Sequence, residues 1–239
     1  MKFYVGLHQP SDAKHFKRFM VSVNRLKTKK KDFKMAPDSE WIMDSGAFTE
    51  LSRHGYYRED VKVYAEHVNR WKTCGNMIVA VSQDYMCEDF ILNKTGLTLR
   101  EHQLRTVERY NKLINLTDAP IMPVLQGYHP FDYAQHIQDY GNLIIENAYV
   151  GVGSVCKRNT NPLSIEGVLN AIKNERPDLR LHGFGIKATS LKSKSIVQNL
   201  HSSDSMAWCF AARRQGRNPN DWREAEKYVI RIEEILNGV

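Results

Sequence analysis

Four polar side chains stand beside apolar runs. Asp44 follows Trp41-Ile42-Met43, Asp84 follows the run 77–81, Gln126 follows 121–125, and Asp204 precedes Ser205-Met206-Ala207-Trp208. A lone Asp at such a place is ordinary, because its short acceptor suits turns and helix N-caps. The set says more. Two carboxylates in one pocket divide labour, one attacking carbon as a nucleophile and the other carrying a proton. Retaining glycosyl transfer uses that pair, with a covalent sugar–enzyme ester and an acid/base partner for the leaving group. Phe48, four positions after Asp44, offers a flat face for stacking a nucleobase, or simply a ring for the core. Gly46, Gly153, Gly183 and Gly185 either admit a ligand close to the backbone or serve tight turns. His54, His129 and His182 show no H-E-x-x-H or other metal spacing and read as surface or packing residues.

These side chains meet only if the strands that carry them converge. Apolar runs at 3–7, 41–43, 77–81, 121–125, 149–152 and 179–181 read as strands, with a short candidate at 204–208 and an eighth hidden near 209–212. Between them, periodic segments predict helices over 13–26, 59–71, 164–174, 190–200 and 221–236. Two more open at Pro130 and at the capping box Thr98-Leu99-Arg100-Glu101. The capping-box helix is expected to turn Leu104, Val107, Tyr110 and Ile114 inward. The last helix is expected to bury Trp222, Ala225, Val229, Ile232 and Leu236. Residues 84–97 read as a loop long enough to be functional.

Alternating βα units imply a parallel sheet with right-handed crossovers. Left open, it would be doubly wound, yet no G-x-G-x-x-G follows the first strand and no G-x-x-x-x-G-K-[ST] occurs. Closed, it gathers the strand carboxyl ends on one face. The expectation is an α/β fold, a TIM-type (β/α)8 barrel, with residues 1–239 as a single domain.

The 239 residues are 42% hydrophobic and 26% charged, ordinary for a globular protein, and no linker divides them. No apolar run is long enough for a bilayer, and Met1-Lys2-Phe3-Tyr4-Val5 reads as a strand rather than a signal peptide, so a cytoplasmic protein is expected. Cys74, Cys87, Cys156 and Cys209 are far apart, as reduced thiols would be and zinc ligands would not. The net charge of +7 gathers at Lys27, Lys29, Lys30, Lys31 and Lys34 and again at Arg213, Arg214 and Arg217. Two cationic clusters favour a polyanion, nucleic acid above all.

Four motifs, in order, resemble the tRNA-guanine transglycosylases. Asp44-Ser45-Gly46-Ala47-Phe48 is similar to their D-S-G-G-[FY] loop and Val124-Leu125-Gln126-Gly127 to their V-Q-G segment. Tyr149-Val150-Gly151-Val152-Gly153-Ser154-Val155 is similar to their glycine-rich base-binding strand. Asp204-Ser205-Met206-Ala207-Trp208 resembles the D-S-A-A-Y segment of the archaeal branch, which holds the nucleophile. The runs 44–51, 81–87 and 151–158 resemble more closely the DNA-modifying branch, the DpdA family of 7-deazaguanine DNA transglycosylases, known from bacterial DNA-modification clusters and phages.

That resemblance implies a specific reaction. Asp204 attacks C1′ of a deoxyguanosine and expels guanine, while Asp44 moves the proton. Phe48, Asp84, Gln126, Gly153 and Ser154 hold the base. Lys157, Arg158, Arg213, Arg214 and Arg217 meet the nucleic-acid backbone. DNA and a free 7-deazaguanine such as preQ0 are the implied substrates, and the target base must leave the duplex. The C-x-C-x-x-C zinc site of the tRNA enzymes has no counterpart, so neither structural zinc nor another cofactor is expected. The same exchange on tRNA, a non-catalytic nucleic-acid-binding barrel and a free-nucleoside glycosylase are the alternatives.

Overall fold

Short runs of β-branched, aromatic and other apolar residues form nine strands, all paired in parallel. They are β1 (Lys2–Leu7), β2 (Arg18–Ser22), β3 (Glu40–Asp44), β4 (Asn76–Val81), β5 (Ile121–Met122), β6 (Val124–Leu125), β7 (Tyr149–Val152), β8 (Arg180–Gly183) and β9 (Leu200–Ser205). The computed structural model describes residues 1–239. Strand order is β5-β4-β3-β2-β1-β9-β8-β7-β6. The two ends of that order are neighbours in the chain, separated only by Pro123, which has no N–H for a ladder. The Ser82 N–H donates to the Met122 carbonyl at 3.0 Å, and the Gly153 N–H donates to the Leu125 carbonyl at 2.9 Å. β5 and β6 are therefore one stave cut by a proline, and the sheet curls into the eight-stave TIM-type barrel that the alternation implied.

The helices are α1 (Ala47–His54), α2 (Val61–Trp71), α3 (Asp89–Thr95), α4 (Leu99–Ile114), α5 (Pro130–Tyr140), α6 (Pro162–Glu175), α7 (Lys194–Asn199), α8 (Ala207–Arg214) and α9 (Trp222–Asn237). Strand residues pointing inward form a layer of Tyr4, Met20, Ile42, Val79, Val81, Met122 and Val124. The opposite strand faces join the helices in a larger core of 45 buried residues. That division follows from period two along every stave. It also fixes the chemistry, because Asp44 is in phase with Ile42 and points where Ile42 points.

Several expectations from periodicity fail, each for a physical reason. The helix expected over 13–26 is instead a 3-10 turn (Pro10–His15), β2 and a second 3-10 turn (Val23–Arg25). Phe16, Phe19, Met20, Val23 and Leu26 repeat at helical spacing, but pairing between β1 and β3 claims Arg18–Ser22 as the second stave. The eighth strand is thus β2, and 209–212 lies inside α8. Asp204 belongs to the end of β9 rather than opening a strand over 204–208. α1 was not anticipated, and α3 occupies part of the expected 84–97 loop.

The capping box at Thr98 does open α4, but Leu104 is 49% exposed while His102, Gln103 and Thr106 are buried. That face is polar because it clamps backbone. Thr106 Oγ1 accepts from the Tyr85 N–H at 2.8 Å, and Gln103 Nε2 donates to the Gln126 carbonyl at 2.9 Å. On α9, Ala225 and Ile232 are buried as expected, with Trp222, Val229 and Leu236 packed at the core's edge.

Residues 30–34 of the lysine run lie by the start of β3 and the last turn of α2, away from the strand carboxyl ends, whereas Lys27 stays near the end of β2. Phe33 packs edge-on to Trp41 with ring centroids 5.6 Å apart, and Arg70 in the last turn of α2 donates to the Lys30 carbonyl at 3.1 Å. No helix is long and apolar enough to cross a membrane. All four cysteines are free, and no cluster of three His, Cys, Asp or Glu side chains is placed to hold a metal ion.

Candidate active site

One cavity of about 610 Å3 opens at the carboxyl ends of the staves. That volume lies in the range of small-molecule sites, about 300–1,000 Å3. Asp44, Phe48, Asp84, Gln126, Gly153, Ser154 and Asp204 all line it. They come from five chain segments, 44–48, 84, 126, 153–154 and 204, so only barrel closure assembles the set.

Both carboxylates at the strand ends are held by a glycine N–H. Asp44 Oδ2 accepts from Gly46 at 3.1 Å, and Asp204 Oδ1 accepts from Gly185 at 3.1 Å. Gly46 and Gly185 have φ of 75° and 64°, a region where other residues are strained. Asp44 pairs in register with Ser22 on β2. Burial raises its pKa above the usual carboxylate value, the Ser22 hydroxyl opposes that, and the nearby Asp204 charge adds to the rise. Asp204 keeps 13% of its side chain exposed and lies 3.3 Å from Nε2 of the fully buried His182.

On the far wall, Gln126 Nε2 donates to Asp84 Oδ2, and Gln126 Oε1 accepts from the Ser154 hydroxyl at 2.7 Å. Ser154 Oγ also lies 3.0 Å from Glu88 Oε2 and accepts from the Cys87 N–H at 2.9 Å. The network fixes the amide orientation and leaves an Asp oxygen and an amide edge for a ligand. Gly153 has a different part. Its N–H is committed to Leu125 and its carbonyl to the Tyr133 hydroxyl at 2.8 Å. A side chain there would occupy the space of the Gln126 amide. Gly153 therefore makes room for Gln126, which with Asp84 presents a polar edge to the cavity.

Burial pushes the Asp84 carboxyl up to about 7, with Asp44 and Glu88 charges adding and the Gln126 amide opposing. A carboxyl whose folded pKa is raised binds more protons folded than unfolded between pH 4 and 7, so stability falls as pH rises through that window and is flat above it. The difference from an ordinary Asp corresponds to roughly 4 kcal/mol as an upper figure. Asp84→Asn keeps the acceptor and removes the charge. We expect its Tm at pH 8 to exceed wild type by at least about 5 °C and the gap to close at pH 4, read by calorimetry at both pH values. An equal gap at the two pH values would contradict the assignment.

Phe48 is 52% exposed on the cavity wall and lies 6.2 Å from Phe90, centroid to centroid, where α1 meets α3. Leu51, Tyr85 and Ile91 make a small separate core beneath them. The five basic residues divide. Lys157 stands over the Phe90 ring at 5.6 Å, Arg158 over Tyr128 at 5.2 Å, and the charge of Arg213 reaches His8 on the cavity wall. Arg214 is exposed in the last turn of α8. Arg217 is tied to Glu224 at 3.0 Å.

Several cavity residues were not picked out from the sequence. Ser22, Asn24 and Arg25 were hidden by reading β2 as helix, and Arg53 by the unseen α1. Glu88 had no signal beyond its place in a long polar stretch. Arg25 and Arg53 line the cavity and make no ion pair, so its wall presents unneutralised positive charge; Lys157, Arg158, Arg213 and Arg214 make none either. Lys27, by contrast, is paired with Glu59.

The family model of DpdA, DeoxyPurine in DNA protein A, matches residues 1–228 of the 239. The chain belongs to the DpdA family. No curated protein matches it. Membership gives this DpdA chain a role in DNA modification, with DNA as the substrate. The match covers every strand and all of the cavity lining, so the DpdA barrel and the site are one unit.

Proposed function

We propose that this chain exchanges guanine in DNA for a 7-deazaguanine of the preQ0 type through a glycosyl–aspartate intermediate. The observation that carries the proposal is the pair Asp44 and Asp204 facing one cavity, with the Asp84–Gln126 couple on its far wall. Asp204 attacks C1′, the C1′–N9 bond breaks, and guanine leaves with a proton from Asp44. The incoming base gives its proton to Asp44 and attacks C1′, and the ester bond to Asp204 breaks. A raised pKa suits Asp44 to both transfers, since it holds a proton for the leaving base and gives up that site to the next. Asp84 and Gln126 offer acceptor and donor to the base edge, and Phe48 supplies a stacking wall. The target nucleotide must be turned out of the helix to enter so enclosed a site.

Incubation of labelled guanine or preQ0 with duplex DNA, and in parallel with tRNA, tests the reading. Label is expected in DNA alone. Label in tRNA alone would make the substrate RNA, and stable DNA binding without exchange of any deazapurine would leave a binding protein.

The wall charges set a further expectation. Arg25→Ala with Arg53→Ala should weaken DNA binding and lower the slope of log affinity against log salt by about 1 for each phosphate no longer neutralised. Arg217→Ala should change the slope less, because Glu224 already neutralises that guanidinium. Fluorescence anisotropy across a salt series measures both.

A further inference from the structure

His182 lies behind the nucleophile, on the adjoining stave, with no exposed surface. Nε2 is 3.3 Å from Asp204 Oδ1. On the other side of the ring, Nδ1 is 2.8 Å from Ser202 Oγ and 3.2 Å from the Tyr149 hydroxyl, and those two hydroxyls also contact each other. With a neutral ring, the arrangement that gives Asp204 Oδ1 a donor is a relay of hydroxyl protons toward Nδ1. Tyr149 donates to Ser202, Ser202 donates to Nδ1, and the neutral ring carries its proton on Nε2, pointing at Asp204. The opposite tautomer would set an Nε2 lone pair of the fully buried ring against a carboxylate oxygen, which is costly. Asp204 Oδ1 then receives two N–H donors, from His182 and from Gly185, while Oδ2 has no hydrogen-bond partner in the protein.

We propose that His182 is the positioning residue of the nucleophile: held in the Nε2–H form by Ser202 and Tyr149, it pins Asp204 Oδ1 and leaves Oδ2 as the attacking oxygen. This rests on the glycosyl–aspartate reading above. The contact acts in both halves of the exchange. In the first, it fixes which lone pair meets C1′. In the second, the incoming nitrogen bonds to C1′, the C1′–Oδ2 bond breaks, and its electron pair returns to the carboxylate, spreading onto Oδ1 where the two donors wait. A preorganised donor at an oxygen that gains full charge is worth up to about 100- to 1,000-fold in rate, and less where the charge is shared across a carboxylate.

The test has an arm that needs no turnover. In 15N-labelled wild-type protein, with His182 assigned by its loss in His182→Gln, Nε2 is expected to carry a proton hydrogen-bonded to Asp204. His182→Leu, which removes the donor and keeps the bulk, is expected to lower kcat about 10- to 100-fold with KM for DNA within about twofold. A larger fraction of the covalent protein–DNA adduct should then be trapped on a denaturing gel, because departure of the carboxylate slows. Ser202→Ala should fall between wild type and His182→Leu, and His182→Gln should recover part of the rate. An Nε2 without a proton, or an unchanged kcat in His182→Leu, would overturn the proposal. Should His182→Leu fail to fold, the ring spectrum and Ser202→Ala carry the decision. Should the wild-type protein exchange no base and form no adduct, the glycosyl–aspartate reading falls, and the spectrum still decides the contact.

Discussion

Asp204→Asn is expected to abolish base exchange, with a loss of at least about 10^4-fold, and to remove the covalent protein–DNA adduct at the same time. The amide is nearly the same shape and still accepts from the Gly185 N–H, so the fold should hold. Its oxygen is too weak a nucleophile to displace guanine from C1′, and its nitrogen places a donor where a lone pair is needed. Unchanged melting with both activities abolished would separate chemistry from folding. Binding of DNA should persist, because the phosphate-facing cations are untouched. The measurement is a labelled-base exchange assay beside a denaturing gel for the adduct, with Asp204→Ala as a second variant that cannot revert by deamidation. Retained exchange in Asp204→Ala would remove Asp204 from the nucleophile's role.

The second large effect is at Asp44. Asp44→Asn is expected to lower exchange by about 10^2- to 10^4-fold, the usual range for loss of a positioned acid or base. The carboxyl is suited to the work by its surroundings: burial and the Asp204 charge raise its pKa, while the Ser22 hydroxyl keeps the ionised form accessible. An Asn can neither protonate the leaving base nor accept a proton from the incoming one. The two defects are separable. A 7-methylguanine leaves as a neutral base without taking up a proton, so DNA carrying it should still form the Asp204 adduct in Asp44→Asn, while exchange onward to a deazaguanine stays blocked. Equal impairment with 7-methylguanine and guanine would mean that Asp44 acts on the sugar or on position, not on the proton.

The parts of this protein that were legible in the sequence are those where local chemistry coincides with the tertiary outcome. Strands β1, β3, β4 and β7 are apolar runs with one reading, and the stops at Asp44, Asp84 and Gln126 coincide with strand ends or the turns just after them. The capping box at Thr98 starts α4 because reciprocal bonds between Thr98 and Glu101 satisfy free N–H groups whatever the rest of the chain does. Where two periodicities fit one segment, the sequence misled. Residues 16–26 satisfy a helical repeat, and only hydrogen bonding to β1 and β3 makes β2 of them. A fully polar buried face, such as His102, Gln103 and Thr106, carries no hydrophobic signal at all, because it is buried against backbone groups rather than apolar side chains.

By itself, then, the sequence determined the alternation of strand and helix, the residue types at the strand ends, and the ordered motifs that point to DNA base exchange. Tertiary structure alone decided that Asp44, Asp84, Gln126 and Asp204 share one cavity, that residues 30–34 of the lysine run stand away from it, and that His182 lies against Asp204. The reason is physical. Side-chain identity and local periodicity are written along the chain, whereas which strand pairs with which, and hence which side chains meet across 160 residues between Asp44 and Asp204, is set by barrel closure and by the backbone hydrogen bonds that only the closed sheet can make.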